Sequence, residues 1–221
     1  MSRAVKYRQN RNYENCNKRI YDGEGEYNIP TIEPVNYIPK LEGWIEWNKA
    51  ATARRYDNKG CHFFIDDFQF ARLWEQPDHY LDLLQKFACV TSPDFSPYSD
   101  FPKAIQVYNH YRKHWLGRYW QENGITVIPT ITWSSPDTLE WAFDGEPVGG
   151  IVALSSVGMF DSDEHRDWLI DGYYQMMDVL QPTMIWWKGK VPEQIRRSND
   201  NILEIEQHVS KWRRKNEVSN D

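Results

Sequence analysis

The sequence predicts an α/β fold in which a mostly parallel sheet of about six strands forms a partial or distorted (β/α) barrel. Short, nearly continuous apolar segments recur along the chain, as expected for parallel strands that are covered by helices on both faces. The segments between them carry apolar residues at helical spacing. A complete eightfold barrel needs about 250 residues, whereas only about 180 follow residue 40. The length therefore favours a partial barrel.

Six segments are predicted as strands because they are short and rich in β-branched and aromatic residues. They are residues 44–47 (WIEW), 61–65 (CHFFI), 87–91 (FACVT), 126–132 (TVIPTIT), 150–154 (GIVAL) and 183–187 (TMIWW). Right-handed crossovers between parallel strands leave two arrangements, an open doubly wound sheet or a barrel.

Four segments are predicted as helices from apolar spacing and from residues typical of helix ends. They are residues 103–122, 137–143, 164–180 and 199–215. Pro102 precedes the first and Gly124 follows it, as is common at helix termini. In the second, Asp137 and Glu140 have the spacing of a capping box. Pro182 ends the third.

Charge divides the chain into two predicted regions. Residues 1–20 contain six basic side chains and one acid, which gives them a charge of +5. The net charge of the chain is −6, so the remaining residues carry a charge of −11. Glycines and prolines interrupt residues 22–40. We therefore predict a basic, loop-rich N-terminal segment over 1–40 and an α/β domain over 41–221. The basic arm is interpreted either as a solvated terminus or as a contact for phosphate.

Composition excludes several classes of protein. The acidic net charge excludes a uniformly basic nucleic-acid binder. No apolar run has the roughly 18–20 residues of a membrane span, and the first residues do not read as a signal peptide. Three widely spaced cysteines without a CxxC pair are typical of reduced thiols. The sequence thus predicts a cytoplasmic protein without a membrane partner.

Carboxylates follow two of the predicted strands and form the main candidate site. Asp66 and Asp67 follow residues 61–65, and Asp94 follows residues 87–91. Ligands of parallel α/β proteins bind at the carboxyl ends of the strands. Two neighbouring carboxylates can divide acid and base roles, or can share a divalent cation. The structural alternatives are that Asp67 caps a helix and that Asp94 closes an Asx-turn.

Other polar and aromatic residues near the strand ends are predicted to bind substrate. These are Asn48, Ser92, Ser96, Arg112, Trp133, Ser155 and Ser156. Lys188, after the last predicted strand, or Arg112 would steady negative charge. His62 is interpreted as a satisfied core residue. His110 and His114 are four residues apart and are interpreted as part of a solvated basic face with Lys113, although a shared metal is the other reading.

Three motifs in order, HFFIDDFQFARLW, VTSPDFSPYSDFP and GITVIPTITW, resemble a family known as a domain of unknown function in bacteria, archaea, phages and mobile elements. The resemblance covers about residues 27–188. It implies a phage or integrated-element context, hence the host cytoplasm, and it implies no mechanism.

A second segment, FDGEPVGGIVAL followed by WKGKVPEQI, is similar to late barrel units of tRNA-guanine transglycosylases, which use strand-end aspartates for base exchange. That family's cysteine-rich zinc site is missing here, so this resemblance implies a barrel-like fold only.

Two functions are compatible with these features. The first is an enzyme in which Asp66 and Asp94 act on a nucleotide or nucleic acid by hydrolysis or glycosyl transfer. The second is a non-catalytic replication, regulatory or anti-defence factor that binds through its basic arm and aromatic surface. The sequence assigns no metal site and leaves a divalent cation at the carboxylates open.

Overall fold

A computed structural model describes residues 18–205; the basic residues at positions 3–11 and most of the predicted last helix lie outside this range. The described chain begins with a short antiparallel hairpin of β1 (Gly23–Glu24) and β2 (Ile29–Pro30). An irregular segment follows as far as residue 42. Ile29 and Ile32 are buried, so this segment is packed against the rest of the molecule.

Seven parallel strands follow in chain order within residues 43–204. β3 (Gly43–Glu46), β4 (Lys59–His62), β5 (Cys89–Thr91) and β6 (Val127–Ile128) form one sheet. β7 (Ile151–Ser155), β8 (Met184–Lys188) and β9 (Ile202–Glu204) form another. A parallel bridge between Thr130 and Ala153 connects the two. The predicted α/β fold with a mostly parallel sheet is confirmed, and each of the six predicted strands overlaps an observed one.

The sheet is curved but is not closed as a barrel. Within residues 18–205, no strand pairing joins β3 to β9. Side chains of β3 and β8 nevertheless meet on the inner face, where the rings of Trp44 and Trp186 lie 5.1 Å apart in an edge-to-face arrangement. Phe64, Cys89 and Ile128 belong to the same apolar cluster.

Within the described residues, six α-helices and three 3₁₀ helices connect the strands. The α-helices are α1 (Trp47–Ala50), α2 (Arg72–Glu75), α3 (Leu81–Leu84), α4 (Lys103–Glu122), α5 (Asp163–Leu180) and α6 (Glu193–Ser198). The 3₁₀ helices are Asp67–Gln69, Pro77–Tyr80 and Pro136–Glu140. The prediction for α4 is confirmed residue for residue. The predicted helix over 137–143 is instead the last of the 3₁₀ helices. No helix among the described residues is long and apolar enough to cross a bilayer.

The prediction of a helix from residue 199 is wrong for the part that the structure describes. The chain forms β9 at Ile202–Glu204, hydrogen-bonded to β8. Ile202 and Ile205 are both buried, and their spacing matches a helical period. The spacing of apolar residues in so short a segment does not distinguish a helix from a strand. Here the segment forms a strand because it pairs with the edge of β8. Residues beyond 205 lie outside the described range.

Two long helices cover the outer face and leave the carboxyl ends of the strands accessible. Trp120 of α4 packs on Phe63, with ring centroids 5.5 Å apart. Tyr173 of α5 packs on Trp187 of β8 at 6.1 Å. Because all seven strands are parallel, their carboxyl ends meet at one edge of the sheet, where ligands bind in this class of fold.

Candidate functional site

A cavity of about 340 Å³ opens at the carboxyl ends of β4–β7. Cavities of about 300–1,000 Å³ are typical of small-molecule sites. Five residues predicted for the site line it: Asp66, Asp94, Ser96, Trp133 and Ser155. The sequence interpretation missed other lining residues, above all His165 and Trp168. Both belong to the amino-terminal half of α5, which follows β7 and whose apolar spacing indicates only a helix that packs against the sheet.

Asp94 has the most unusual environment among these residues. Its side chain is partly accessible, but Oδ1 is enclosed and has no hydrogen-bond partner within residues 18–205. Burial, with a smaller contribution from the charge of Asp67, raises the pKa of Asp94 to about 7, although the ammonium of Lys113 opposes the shift. A carboxyl group with this pKa carries a proton for part of the time at neutral pH, as a general acid must.

Asp67 holds the loop that follows β5. Its carboxylate accepts hydrogen bonds from both the backbone N–H and the hydroxyl of Ser96, each at 3.0 Å. The suggested helix cap at Asp67 is wrong, because the residue before the 3₁₀ helix is Asp66 and no side chain caps that helix. The suggested Asx-turn at Asp94 is also wrong, since the N–H of Ser96 donates to Asp67. Burial raises the pKa of Asp67.

Arg112 supports the same loop from α4. Its guanidinium lies 4.0 Å from the ring centroid of Phe95 and hydrogen-bonds Asn109. Asn109 in turn donates to the carbonyl of Ser96 at 2.7 Å. Arg112 does not line the cavity. The arrangement therefore fixes the position of Ser96 and, through it, the geometry of the carboxylates.

Trp133 forms an aromatic wall of the cavity. Its indole N–H donates to the carbonyl of Trp168 at 2.9 Å. Its ring lies against Gly172 of α5, where a Cβ would stand only 2.2 Å from the indole nitrogen. Trp168 also lines the cavity. The hydrogen bond and the contact with Gly172 hold the indole of Trp133 in place, so that it offers a fixed surface on which a planar group can stack.

Besides Arg112, three predicted substrate-binding residues lie outside the cavity lining and make internal hydrogen bonds. Ser92 accepts from the N–H of Thr130 at 2.8 Å and so connects β5 to the segment after β6. Ser156 donates to the carbonyl of Lys190 at 2.7 Å. Asn48 donates to Gln69 at 2.6 Å. These contacts hold the strand ends together.

Lys188 lies on the inner side of the sheet near Glu46 and His62, outside the cavity lining. Burial lowers the pKa of Lys188. His62 is buried, as predicted, but neither of its ring nitrogens has a hydrogen-bond partner among the described residues. Burial and the charge of Lys188 lower the pKa of His62 to about 3, so its ring is neutral. Lys188 is paired in register with Ser155, which does line the cavity.

The interpretation of His110, Lys113 and His114 as a solvated basic face is wrong. All three are buried, and together with the buried Glu146 they form an ionic cluster beneath α4. Polar residues on a helix normally indicate its solvent-exposed face. Here the β1–β2 hairpin and the loop that carries Glu146 cover this face of α4. Nothing in the local sequence specifies where that loop lies.

Two phage proteins are similar to this chain over most of its length. The "Gene 1 protein" of Mycobacterium phage L5 is 34% identical over 202 residues, which are 90% of this chain and 85% of the phage protein. The "Gene 1 protein" of Mycobacterium phage D29 is 34% identical over 208 residues, 91% of this chain and 74% of that protein. No solved structure matches the chain.

The family resemblance suggested by the three sequence motifs is confirmed. The matching region, residues 21–206, includes every strand of the sheet, both long helices and all the residues of the cavity. It ends close to the last described strand and begins beyond the basic arm. The chain belongs to the family described as the domain of unknown function DUF4417.

Proposed function

We propose that this phage-type protein is an enzyme that cleaves or transfers the glycosidic bond of a nucleotide or nucleic acid in the host cytoplasm, with Asp94 as acid and Asp66 as base. One observation carries the proposal: a carboxyl group with an unpartnered oxygen and a pKa of about 7 shares a cavity with a second carboxylate. Carboxyl groups in unlike environments divide acid and base roles in glycoside hydrolysis.

The chemistry follows from these two groups. Asp94 donates its proton to the leaving nitrogen of the base as the bond between that nitrogen and the anomeric carbon breaks. Asp66 accepts a proton from a water molecule, whose oxygen forms the new bond to the anomeric carbon. Exchange of one proton with solvent then restores both carboxyl groups. In a transfer reaction the hydroxyl or amine of an acceptor replaces the water.

The cavity lining supports a base and a sugar as the groups that enter. Trp133, Trp168 and Tyr98 present aromatic surface, on which nucleobases stack. No lysine or arginine belongs to the lining that the structure describes. A phosphate would therefore remain outside the cavity, and Lys188 or Arg112 is the cation proposed to steady its charge.

The test is release of free base from nucleosides, nucleotides, single-stranded DNA and RNA, followed by chromatography. We expect Asp94→Asn to lower the rate by about 10²–10⁴-fold, the usual contribution of a general acid. Its unfolding free energy at pH 7 should not fall, because asparagine has the same shape without the buried charge. Asp100→Asn is the matched control, since Asp100 is exposed and lies outside the lining.

Two results would contradict the proposal. One is the absence of base release from all four substrate classes by the folded protein. The other is an Asp94→Asn variant that retains the wild-type rate. If Asp94→Asn loses activity and stability together, Asp94 holds the loop in place and is not an acid catalyst.

A further inference from the structure

A second cluster of side chains that can ligate metal lies apart from the cavity. His110 and His114 are one turn apart on α4, and Glu146 faces them from the loop after the 3₁₀ helix Pro136–Glu140. One ring nitrogen from each histidine and one carboxylate oxygen lie within 4.8 Å of one another, and all three residues are buried. We propose that these residues bind a divalent first-row transition metal ion, with Zn²⁺ as the best fit.

Hydrogen bonds to backbone carbonyls orient both imidazoles. His114 Nδ1 lies 2.9 Å from the carbonyl oxygen of Pro30, and His110 Nε2 lies 3.0 Å from that of Asp144. A carbonyl oxygen only accepts, so both of these nitrogens carry hydrogen. The remaining nitrogen of each neutral ring then has a free lone pair. Histidines that bind metals are held in this way, with the other N–H donating to a carbonyl or carboxylate.

The same hydrogen bonds leave an unfavourable contact that a cation would relieve. With hydrogen on Nδ1, the Nε2 lone pair of His114 faces the Oε1 oxygen of Glu146 at 3.0 Å, and neither atom has a proton to donate. The second oxygen of Glu146, Oε2, is buried and has no partner within residues 18–205. Unpaired buried lone pairs are costly. A positive species between the rings and the carboxylate satisfies them.

Lys113 positions the carboxylate of Glu146 by a hydrogen bond to Oε1 and leaves Oε2 without a partner among the described residues. Its ammonium donates to Glu146 Oε1 at 2.7 Å and to the carbonyl of Thr130 at 2.8 Å. Oε2 is therefore the oxygen available to a metal. Carboxylates that bind metals are themselves commonly hydrogen-bonded by a second residue.

The ligand types favour particular metals. Two imidazole nitrogens and a glutamate match the His₂Glu set found at Zn²⁺ sites, and Fe²⁺ accepts two histidines and a carboxylate as well. None of the three residues lines the carboxylate cavity. The ion would connect α4, the loop at Glu146 and, through Pro30, the β1–β2 hairpin. Its role would thus be to stabilise the fold.

The experiment uses the full chain without a histidine tag, stripped with a chelator and then titrated with Zn²⁺ or Co²⁺. We expect one ion per chain by elemental analysis, a midpoint of thermal unfolding that rises with free Zn²⁺, and visible Co²⁺ absorption typical of nitrogen and oxygen ligands. His110→Gln and Glu146→Gln should weaken binding by more than about tenfold. His79→Gln is the control, because His79 is exposed and far along the chain from the cluster.

The proposal fails if the stripped, folded wild-type protein takes up neither ion and its midpoint of thermal unfolding does not change when either ion is added. A protonated His114 would then be the species that satisfies Glu146. It also fails if His110→Gln binds Co²⁺ with the wild-type affinity and spectrum. If the variants do not fold, the titration of the wild-type protein alone decides whether the chain binds the metal ion.

Discussion

At the scale of single residues, the site depends on a carboxyl group whose surroundings oppose its charge. The carboxylate of Asp67 and the ammonium of Lys113 are the charged groups that act on Asp94, and burial exceeds both in effect. An unfolded aspartate has a pKa of about 3.9, whereas the pKa of folded Asp94 is about 7. The folded protein therefore binds one proton more than the unfolded chain between these two values.

This difference predicts how stability depends on pH. Because the folded pKa is raised, the contribution of Asp94 is favourable at low pH and is lost as the pH rises from about 4 to about 7, by up to about 1.4 kcal/mol per pH unit. Asp94→Asn removes this dependence. We expect its unfolding free energy, relative to wild type, to increase over that range and then to level off.

Urea denaturation at several pH values measures the effect. Asp100→Asn, at an exposed position of the same loop, should follow the wild-type curve. A constant difference between Asp94→Asn and wild type from pH 4 to 8 would mean that Asp94 has an ordinary pKa in the folded protein.

At the scale of secondary-structure elements, the sequence predicted what depends on local pattern. Apolar segments identified six of the seven parallel strands, and apolar spacing with Pro102 identified α4. The rule that parallel strands gather their carboxyl ends placed Asp66 and Asp94 at one cavity. Partners from distant elements could not be predicted, because nothing in local sequence specifies that α5 supplies Trp168 or that Glu146 lies beneath α4.

The contact between α5 and the cavity wall gives an element-scale prediction. Alanine is normally favoured over glycine within a helix by about 1 kcal/mol. At Gly172 we expect the opposite, since the new Cβ would overlap the indole of Trp133. Overpacking of this kind costs about 1–3 kcal/mol. Gly172→Ala should therefore lower the unfolding free energy and displace Trp133, weakening the binding of any aromatic ligand.

Denaturation and ligand titration of Gly172→Ala would be compared with Asp171→Ala. Asp171 is the preceding residue of α5 and is exposed, so its substitution should be nearly neutral. A Gly172→Ala protein more stable than wild type would show that Trp133 moves freely and is not a rigid wall.

At the scale of the whole molecule, the described part of the N-terminal segment is bound to the acidic body. The indole N–H of Trp115 donates to the carbonyl of Arg19 at 2.7 Å. Arg19 itself forms an ion pair with Glu122, and the ammonium of Lys18 lies 4.2 Å from the ring of Trp74. Two of the six cations in residues 1–20 are thus engaged with the protein. The other four, Arg3, Lys6, Arg8 and Arg11, lie outside the described residues, and we take them as the candidate contacts for a polyanion.

This count predicts the salt dependence of nucleic-acid binding. Each phosphate contact on duplex DNA contributes about −0.9 to the slope of log affinity against log salt, so four contacts would contribute about 3 to 4. We expect a chain that begins at Lys18 to lose this part of the slope.

The control is Arg196→Gln with Arg197→Gln, which removes two exposed cations of α6 and should leave the slope unchanged. Equal slopes for the full and shortened chains would show that the arm does not contact phosphate, and the −11 carried by residues 21–221 would then repel nucleic acid without compensation.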